Sequence, residues 1–325
     1  MYDLFRYGMM MQDKVRVNAH YQALKQVIRP GSVVIDLGAG TGILSVMACK
    51  LGAKRVYAIE SNLWGALGKQ IAAANGVADQ IEFIHGKSTE VTLPERGDIV
   101  IGDLRGTTPI SFGNLHSLND ARERLLKPDG ILIPRRDVVY VTLVNIPDIY
   151  EAIVTQPWLH NSYGINMEAG HKYAINTPHN NNLRDIQPLL PPTVWAEINY
   201  DRPENFNWNA VLEWTASEAA TAHAVFAWFH AQLTDDVGYT TAPWEDIHAR
   251  VYGNFMLSFE RPLEIAPEDT VKLELQAALI QESYVYVWNT TVRSKNGEVK
   301  SSFQQNSFFG KPPALEAFSQ HKLSR

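Results

Sequence analysis

An α/β protein, with a Rossmann-like doubly wound sheet followed by a C-terminal β-barrel-like domain, is the fold class that three observations predict. Before Pro134, short apolar runs alternate with helical segments. Beyond it, segments rich in β-branched and aromatic residues succeed one another between turn-forming stretches. A glycine-rich turn joins the first apolar run to the helical segment after it.

In chain order, SVVIDL (32–37), RVYAIE (55–60), QIEFIH (80–85), DIVIGD (98–103) and GILIP (130–134) read as strands. TGILSVMACKLG, NLWGALGKQIAAANG and HSLNDARERLLKPDG read as helices between them. Strands separated by helices pair in parallel, which gives a doubly wound sheet. KLGAK and LKPDG read as helix stops, each with a lysine near the end and a glycine just after. Past Pro134, VVYVTLV, NAVLEWTA, AVFAWFHAQL, YGNFMLSF, VKLELQA and SYVYVWNTTV have strand character, as in an antiparallel sandwich or barrel. The polar region between Trp158 and Pro192 fits neither pattern, and TPHNNNLRD within it reads as plain loop.

The bulk properties narrow the function. The 325 residues suffice for two domains or one large one with an ample core. A net charge of −6 argues against broad binding to nucleic acid or to an anionic membrane, both of which need a basic excess. One cysteine, Cys49, excludes an intramolecular disulfide framework and suits a reducing compartment. The opening MYDLFRYGMMMQDKVR has no apolar signal core, and no run reaches the ~18 apolar residues of a membrane span. The expected location is the cytoplasm, and no metal site is expected.

Asp36, Gly38, Gly40 and Gly42 form D-x-G-x-G-x-G, directly after a buried strand and at the opening of a helix. Glycines there let the backbone turn sharply and approach a ligand closely. Glu60 ends the second strand, where a carboxylate can take both hydroxyls of a ribose. This pattern fits S-adenosylmethionine better than NAD, whose pyrophosphate usually calls for G-x-G-x-x-G.

At these residues the chain resembles the protein arginine methyltransferases. Tyr2, Tyr7, Met10 and Arg16 follow the order of that family's N-terminal helix. VIDLGAGTGILSVMACKLGAKRVYAIE is similar to its cofactor motifs, and LLKPDGILIPRRDVVYVTLV to its exit from the sheet into the barrel. SYGINM resembles the start of its dimerisation arm, near 158–192, and TTAP precedes the expected barrel loop. The resemblance implies a helical segment (1–30) over the cofactor, a cofactor-binding domain (31–136), a substrate domain (137–325) and a homodimer. It also implies that Arg16 pairs with the cofactor's carboxylate, that Met10 lies near the transferred methyl, and that the adenine-contacting acid falls near Thr89 or Glu90.

Against the same family, the acceptor half departs. Arginine methylation must hold a guanidinium whose pKa exceeds ~12 and whose charge delocalises the nitrogen lone pair. The family uses two glutamates on one hairpin loop and a Thr-His-Trp element. Here the first glutamate falls on Asp103 and the second on Phe112, while HARVYGNF has no Thr-His-Trp. Tyr252 is the expected occupant of the tryptophan position, with His248 four residues earlier.

Three outcomes stay open. The acceptor is an arginine or guanidino-type group, such as a free amino acid or a peptide in secondary metabolism, held by another acid such as Glu245 or Asp246. Or it is a smaller or neutral amine or hydroxyl, with Phe112 as an apolar wall and His248 or Asp103 as base. Or the chain binds cofactor as a non-catalytic scaffold. Arg105 either pairs with Asp103 and cancels it or clamps a substrate carboxylate, the second option favouring a small-molecule acceptor.

Overall fold

The computed structural model describes residues 3–160, 163–183, 186–202 and 206–311; Tyr2 lies outside them. Two helices open the chain, α1 (Leu4–Gln12) and α2 (Lys14–Val27). An aspartate starts each: the carboxylates of Asp3 and Asp13 accept from the backbone N–H groups of Arg6 and Arg16 at 2.8 and 3.2 Å. Such caps satisfy donors that the helix itself leaves unpaired.

The parallel sheet is as the sequence predicts. β1 (Val33–Leu37), α3 (Ile43–Lys50), β2 (Arg55–Glu60), α4 (Gly65–Ala74), β3 (Ile81–His85), β4 (Gly97–Gly102), α5 (Phe112–Arg124) and β5 (Leu126–Ile133) follow in order. Spatially the strands run β3-β2-β1-β4-β5, all parallel. The order reverses between β1 and β4, and ligands bind such sheets in the crevice beyond the carboxyl ends at that point. Asp36, Glu60 and Asp103 all stand at those ends.

One expectation is corrected here. α5 starts at Phe112 and ends at Arg124, so Leu-Lys-Pro-Asp-Gly lies inside β5 rather than stopping a helix. β5 is an edge strand, where a proline costs no ladder bond that matters. The Asp120–Arg124 pair, 2.8 Å, holds the last turn of α5 upstream of it.

The remainder is mostly antiparallel. β6 (Arg136–Val144) leads into α6 (Pro147–Tyr150), a π turn at Glu151–Thr155, α7 (Gln156–Leu159) and α8 (Glu168–Ala174). Strands β7 (His179–Asn181), β8 (Thr193–Asn199), β9 (Trp208–Thr215), β10 (Ala220–Gln232) and β11 (Gly238–Thr240) follow. β12 (Asn254–Ile265), β13 (Thr270–Ile280), β14 (Ser283–Arg293) and β15 (Val299–Asn306) complete the described chain. One sheet runs β7-β12-β10-β6-β8 with β11 on β10, the other β15-β14-β13-β9. β8 lies beside β9 and β12 beside β15, so the two sheets wrap in a barrel-like form around Phe259, Leu273, Leu275, Trp288 and Phe303. The asparagine run read as loop is the edge strand β7, paired to β12.

Trp288 is fully buried at the centre of this core, its indole N–H donating to the Ser258 carbonyl at 3.3 Å. Trp288→Ala is expected to cost about 3–5 kcal/mol, read as a lower denaturant midpoint.

Candidate functional site: a cleft at the carboxyl edge of the parallel sheet

A cleft of about 540 Å³ runs along the ends of β1, β2 and β4 beneath α1. Its donor end is built by local backbone geometry. Gly40 takes φ +56°, and a Cβ there would come within 2.5 Å of the Tyr7 ring, which closes over the turn. The Gly40 N–H donates to Glu60 at 2.7 Å, and the Asn62 N–H to its other oxygen at 2.9 Å. Glu60 is thus fixed by two backbone donors, and each oxygen keeps a lone pair for a ribose hydroxyl. Asn62 in turn donates to the Tyr7 hydroxyl at 2.7 Å, tying the N-terminal helix to the second strand. Asp36 accepts from Ser45 at 2.6 Å, and its burial pushes its pKa up to about 6.

Met10, Arg16, Asp36, Gly38, Gly40 and Glu60 all line this cleft. Three cofactor expectations land elsewhere. Gly42 caps α3 at φ +79°, where a Cβ would meet the Phe83 ring at 2.9 Å, so it serves close packing of helix on sheet. Thr89 and Glu90 line a neighbouring cavity of about 380 Å³ that shares Gly38, Ser61 and Leu104 with the cleft. Glu90 itself is exposed and paired with Lys87 at 3.3 Å.

At the other end lies Asp103, in the loop after β4. Its carboxylate accepts from Arg16 Nε at 2.5 Å, from Arg105 Nη1 at 3.0 Å and from the Tyr252 hydroxyl at 2.8 and 2.9 Å. Burial alone would raise its pKa; Arg16, then His20 and Arg105, hold it well below the usual carboxylate range. An anion so held is a poor proton acceptor, which corrects the expectation of Asp103 as a base. Tyr252 stays protonated, since burial and Asp103 both push its pKa well up. The Tyr239 and Tyr252 hydroxyls meet at 2.5 Å behind it.

Arg105 lies on the same wall and is fully enclosed. Its Nε and Nη2 donate to Asp137 at 2.7 and 2.8 Å, its Nη1 to Asp103 and Tyr239. Of the two roles the sequence left open, the geometry has the pairing with Asp103, and the side chain is fully buried. Phe112 is also corrected: it starts α5, stacks on His116 at 4.9 Å and faces the neighbouring cavity, not this cleft. Glu245 and His248 do not line the cleft either. Trp244 anchors their loop against Phe226 and Trp228, leaving Glu245 exposed and His248 bonded to the Glu245 carbonyl at 2.6 Å.

Other lining residues escaped the sequence. Asn180, from the asparagine run, braces the Tyr252 loop: its Oδ1 accepts from the Asn254 N–H at 3.0 Å, against Gly253. No local signal marked it, because its place depends on β7 pairing with β12. His20 is buried beside Arg16 and Tyr239 and bonds the Arg16 carbonyl at 2.9 Å.

With the site in view, comparison with known proteins is informative. The family model for ribosomal protein L11 methyltransferase (PrmA) matches residues 19–134. Protein arginine N-methyltransferase PRMT10 of Arabidopsis thaliana is 25% identical over 92% of this chain and 87% of its own length. Probable protein arginine N-methyltransferase 6 of the same plant is 34% identical over 49% of this chain; the match spans 37% of that relative. The crystal structure of Arabidopsis thaliana protein arginine methyltransferase 10 superposes with TM-score 0.80 at 22% identity, covering 94% of this chain and 97% of that one. The chain is protein arginine methyltransferase-like. A Trypanosoma brucei PRMT1 enzyme–prozyme heterotetramer with AdoHcy gives TM-score 0.81 at 20% identity, over 92% and 96% of the two chains. Both structural likenesses are of fold. In this arginine methyltransferase-like chain, the Asp103 end of the cleft is occupied by the chain's own side chains.

His20 yields a pH prediction. Burial, more than any neighbour, lowers its pKa from 6.5 to about 4, so the unfolded chain takes up the proton first. Its contribution to stability is whole above pH 6.5 and is lost as pH falls towards 4. The loss is at most about 3 kcal/mol at one pKa unit per ~1.4 kcal/mol. His20→Gln should flatten that part of the profile, read from thermal unfolding at pH 7 and pH 5. At the donor end, Glu60→Ala should weaken S-adenosylmethionine binding by ~1–3 kcal/mol in calorimetry, and unchanged affinity would sink the ribose assignment.

Proposed function

We propose that the chain transfers a methyl group from S-adenosylmethionine to a side-chain nitrogen of arginine in a protein or peptide. It is an S-adenosylmethionine-dependent methyltransferase, and the observation that supports the arginine acceptor is a single continuous cleft. The cleft joins the glycine turn and Glu60 at one end to the β4 loop with Asp103 and Tyr252 at the other. The similar arginine methyltransferases support the same acceptor.

When bound, S-adenosylmethionine supplies an already activated methyl on a sulfonium. The chain's own work is alignment and exclusion of water. Glu60 is placed to take the ribose hydroxyls, while Tyr7 and Met10 on α1 roof the cleft. Asp36 and Arg16 both line the cleft and would meet the amino acid portion, Arg16 from its bond to Asp103. The idea of a free amino acid acceptor loses its main support once Arg105 is turned inward, and a neutral small acceptor loses its wall once Phe112 faces away. A homodimer through the segment near 158–192 and a cytoplasmic location belong to the proposal. Tyr163 and Ile165 of that segment are exposed, and no helix among the described residues is long and apolar enough to cross a membrane.

One observation favours a second reading, a cofactor-binding subunit without turnover of its own: Asp103 already holds two internal arginines. One assay separates the two. Methyl-labelled S-adenosylmethionine is incubated with arginine-containing peptides and label is sought on arginine after hydrolysis. Label that vanishes in Glu60→Ala supports the enzyme; calorimetric binding of cofactor with no label on any acceptor supports the subunit.

A further inference from the structure

The acceptor end of the cleft holds its charges in balance without a substrate. Arg16 and Arg105 face Asp103 and Asp137, and all four side chains are buried. A carboxylate offers about four lone-pair positions, and gripping a guanidinium needs one on each oxygen for two parallel N–H bonds. On Asp103, Arg16 takes Oδ2, Arg105 takes Oδ1, and the Tyr252 hydroxyl bridges both. The side chain is only 4% exposed.

The two arginines differ in how firmly they are held. Among the described residues, the Arg16 guanidinium bonds otherwise only to the Met10 carbonyl, at 3.3 Å. Arg105 is forked onto Asp137, and Asp137 is fixed by the Tyr200 hydroxyl at 2.7 Å, which itself accepts from Asn114 at 2.9 Å. The rings of Phe229 and Tyr239 lie 5.7 and 6.0 Å from its guanidinium carbon. Arg105 therefore has no second position to move to. The other cleft carboxylates, Asp36 and Glu60, stand at the donor end and accept from Ser45 and from backbone N–H groups.

We propose that Arg105 sets the acceptor specificity of the cleft: it is a permanent internal guanidinium on the carboxylate an incoming cation would need, so the acceptor group is held without charge recognition. The proposal rests on the methyltransferase reading and names the kind of recognition that site offers, which is shape and hydrogen bonding, with no free carboxylate to favour the charged arginine over its uncharged isostere.

The test compares two peptides identical except for one arginine or citrulline, the neutral urea isostere, binding to the full chain saturated with S-adenosylhomocysteine. Wild type should show no preference for the arginine peptide beyond about threefold. In R105M/D137N, which removes the internal cation together with the charge it neutralises, the arginine peptide should gain about tenfold or more over citrulline. S-adenosylhomocysteine affinity equal to wild type shows that the double variant is folded. A wild-type preference for arginine of about tenfold overturns the proposal. So does a folded double variant with no gain. If the double variant fails to bind the cofactor product, the wild-type ratio decides. Failure of wild type to bind S-adenosylhomocysteine sinks the methyltransferase reading instead, and is distinguishable from every outcome above.

Discussion

The guanidinium of Arg105 sits between two carboxylates from different parts of the chain, Asp103 after β4 and Asp137 at the start of β6. Burying such charges costs several kcal/mol per ion, which is recovered only when geometry is good and the remaining donors and acceptors are satisfied. Here the fork on Asp137 is bidentate, Tyr200 donates to the same carboxylate, and Asn114 donates to Tyr200. Removing one member of a buried pair typically costs about 3–5 kcal/mol, because the other is left uncompensated. The network consequently pins the carboxyl edge of the parallel sheet against β6 and β8 of the antiparallel sheets, and with it the far wall of the cleft.

The two ends of that cleft are built on different physics. At the donor end, backbone conformation does most of the work: a left-handed glycine, a carboxylate tied by two N–H groups and a tyrosine ring closing over the turn. At the acceptor end, side chains from α2, the β4 loop, β11 and the Tyr252 loop meet, and electrostatics decides what remains available. A carboxylate that would serve as a substrate contact in isolation is a structural node in this company. The second interior hydroxyl pair, Tyr239 with Tyr252, extends the node towards β11.

The legibility of individual elements follows from how local their causes are. The D-x-G-x-G-x-G turn and Glu60 were readable because spacing along β1 and β2 dictates where those residues emerge. LKPDG misled because its lysine and glycine mimic a helix stop, while edge pairing of β5 overrides that local preference. Phe112 was expected in a loop and lies on a helix, which turns its ring onto His116. Glu245 and His248 were expected near the site because their loop must cross it. Trp244 instead packs into a separate apolar cluster and carries the loop outward. Asn180 sits in a run of asparagines with no periodicity, and only the register of β7 on β12 brings it to Tyr252.

From its sequence alone, this protein's fold class and the glycine turn with its strand-end carboxylate were determined, because strand alternation and glycine conformation act over a few residues. The fate of Asp103 was settled by tertiary structure. Its partners Arg16, Tyr252 and, through Arg105, Asp137 are distant in the chain, and their meeting depends on the docking of a helix and one antiparallel sheet onto one edge. Charge compensation in a buried site is a sum over everything that arrives there, and that sum exists only once the chain has folded.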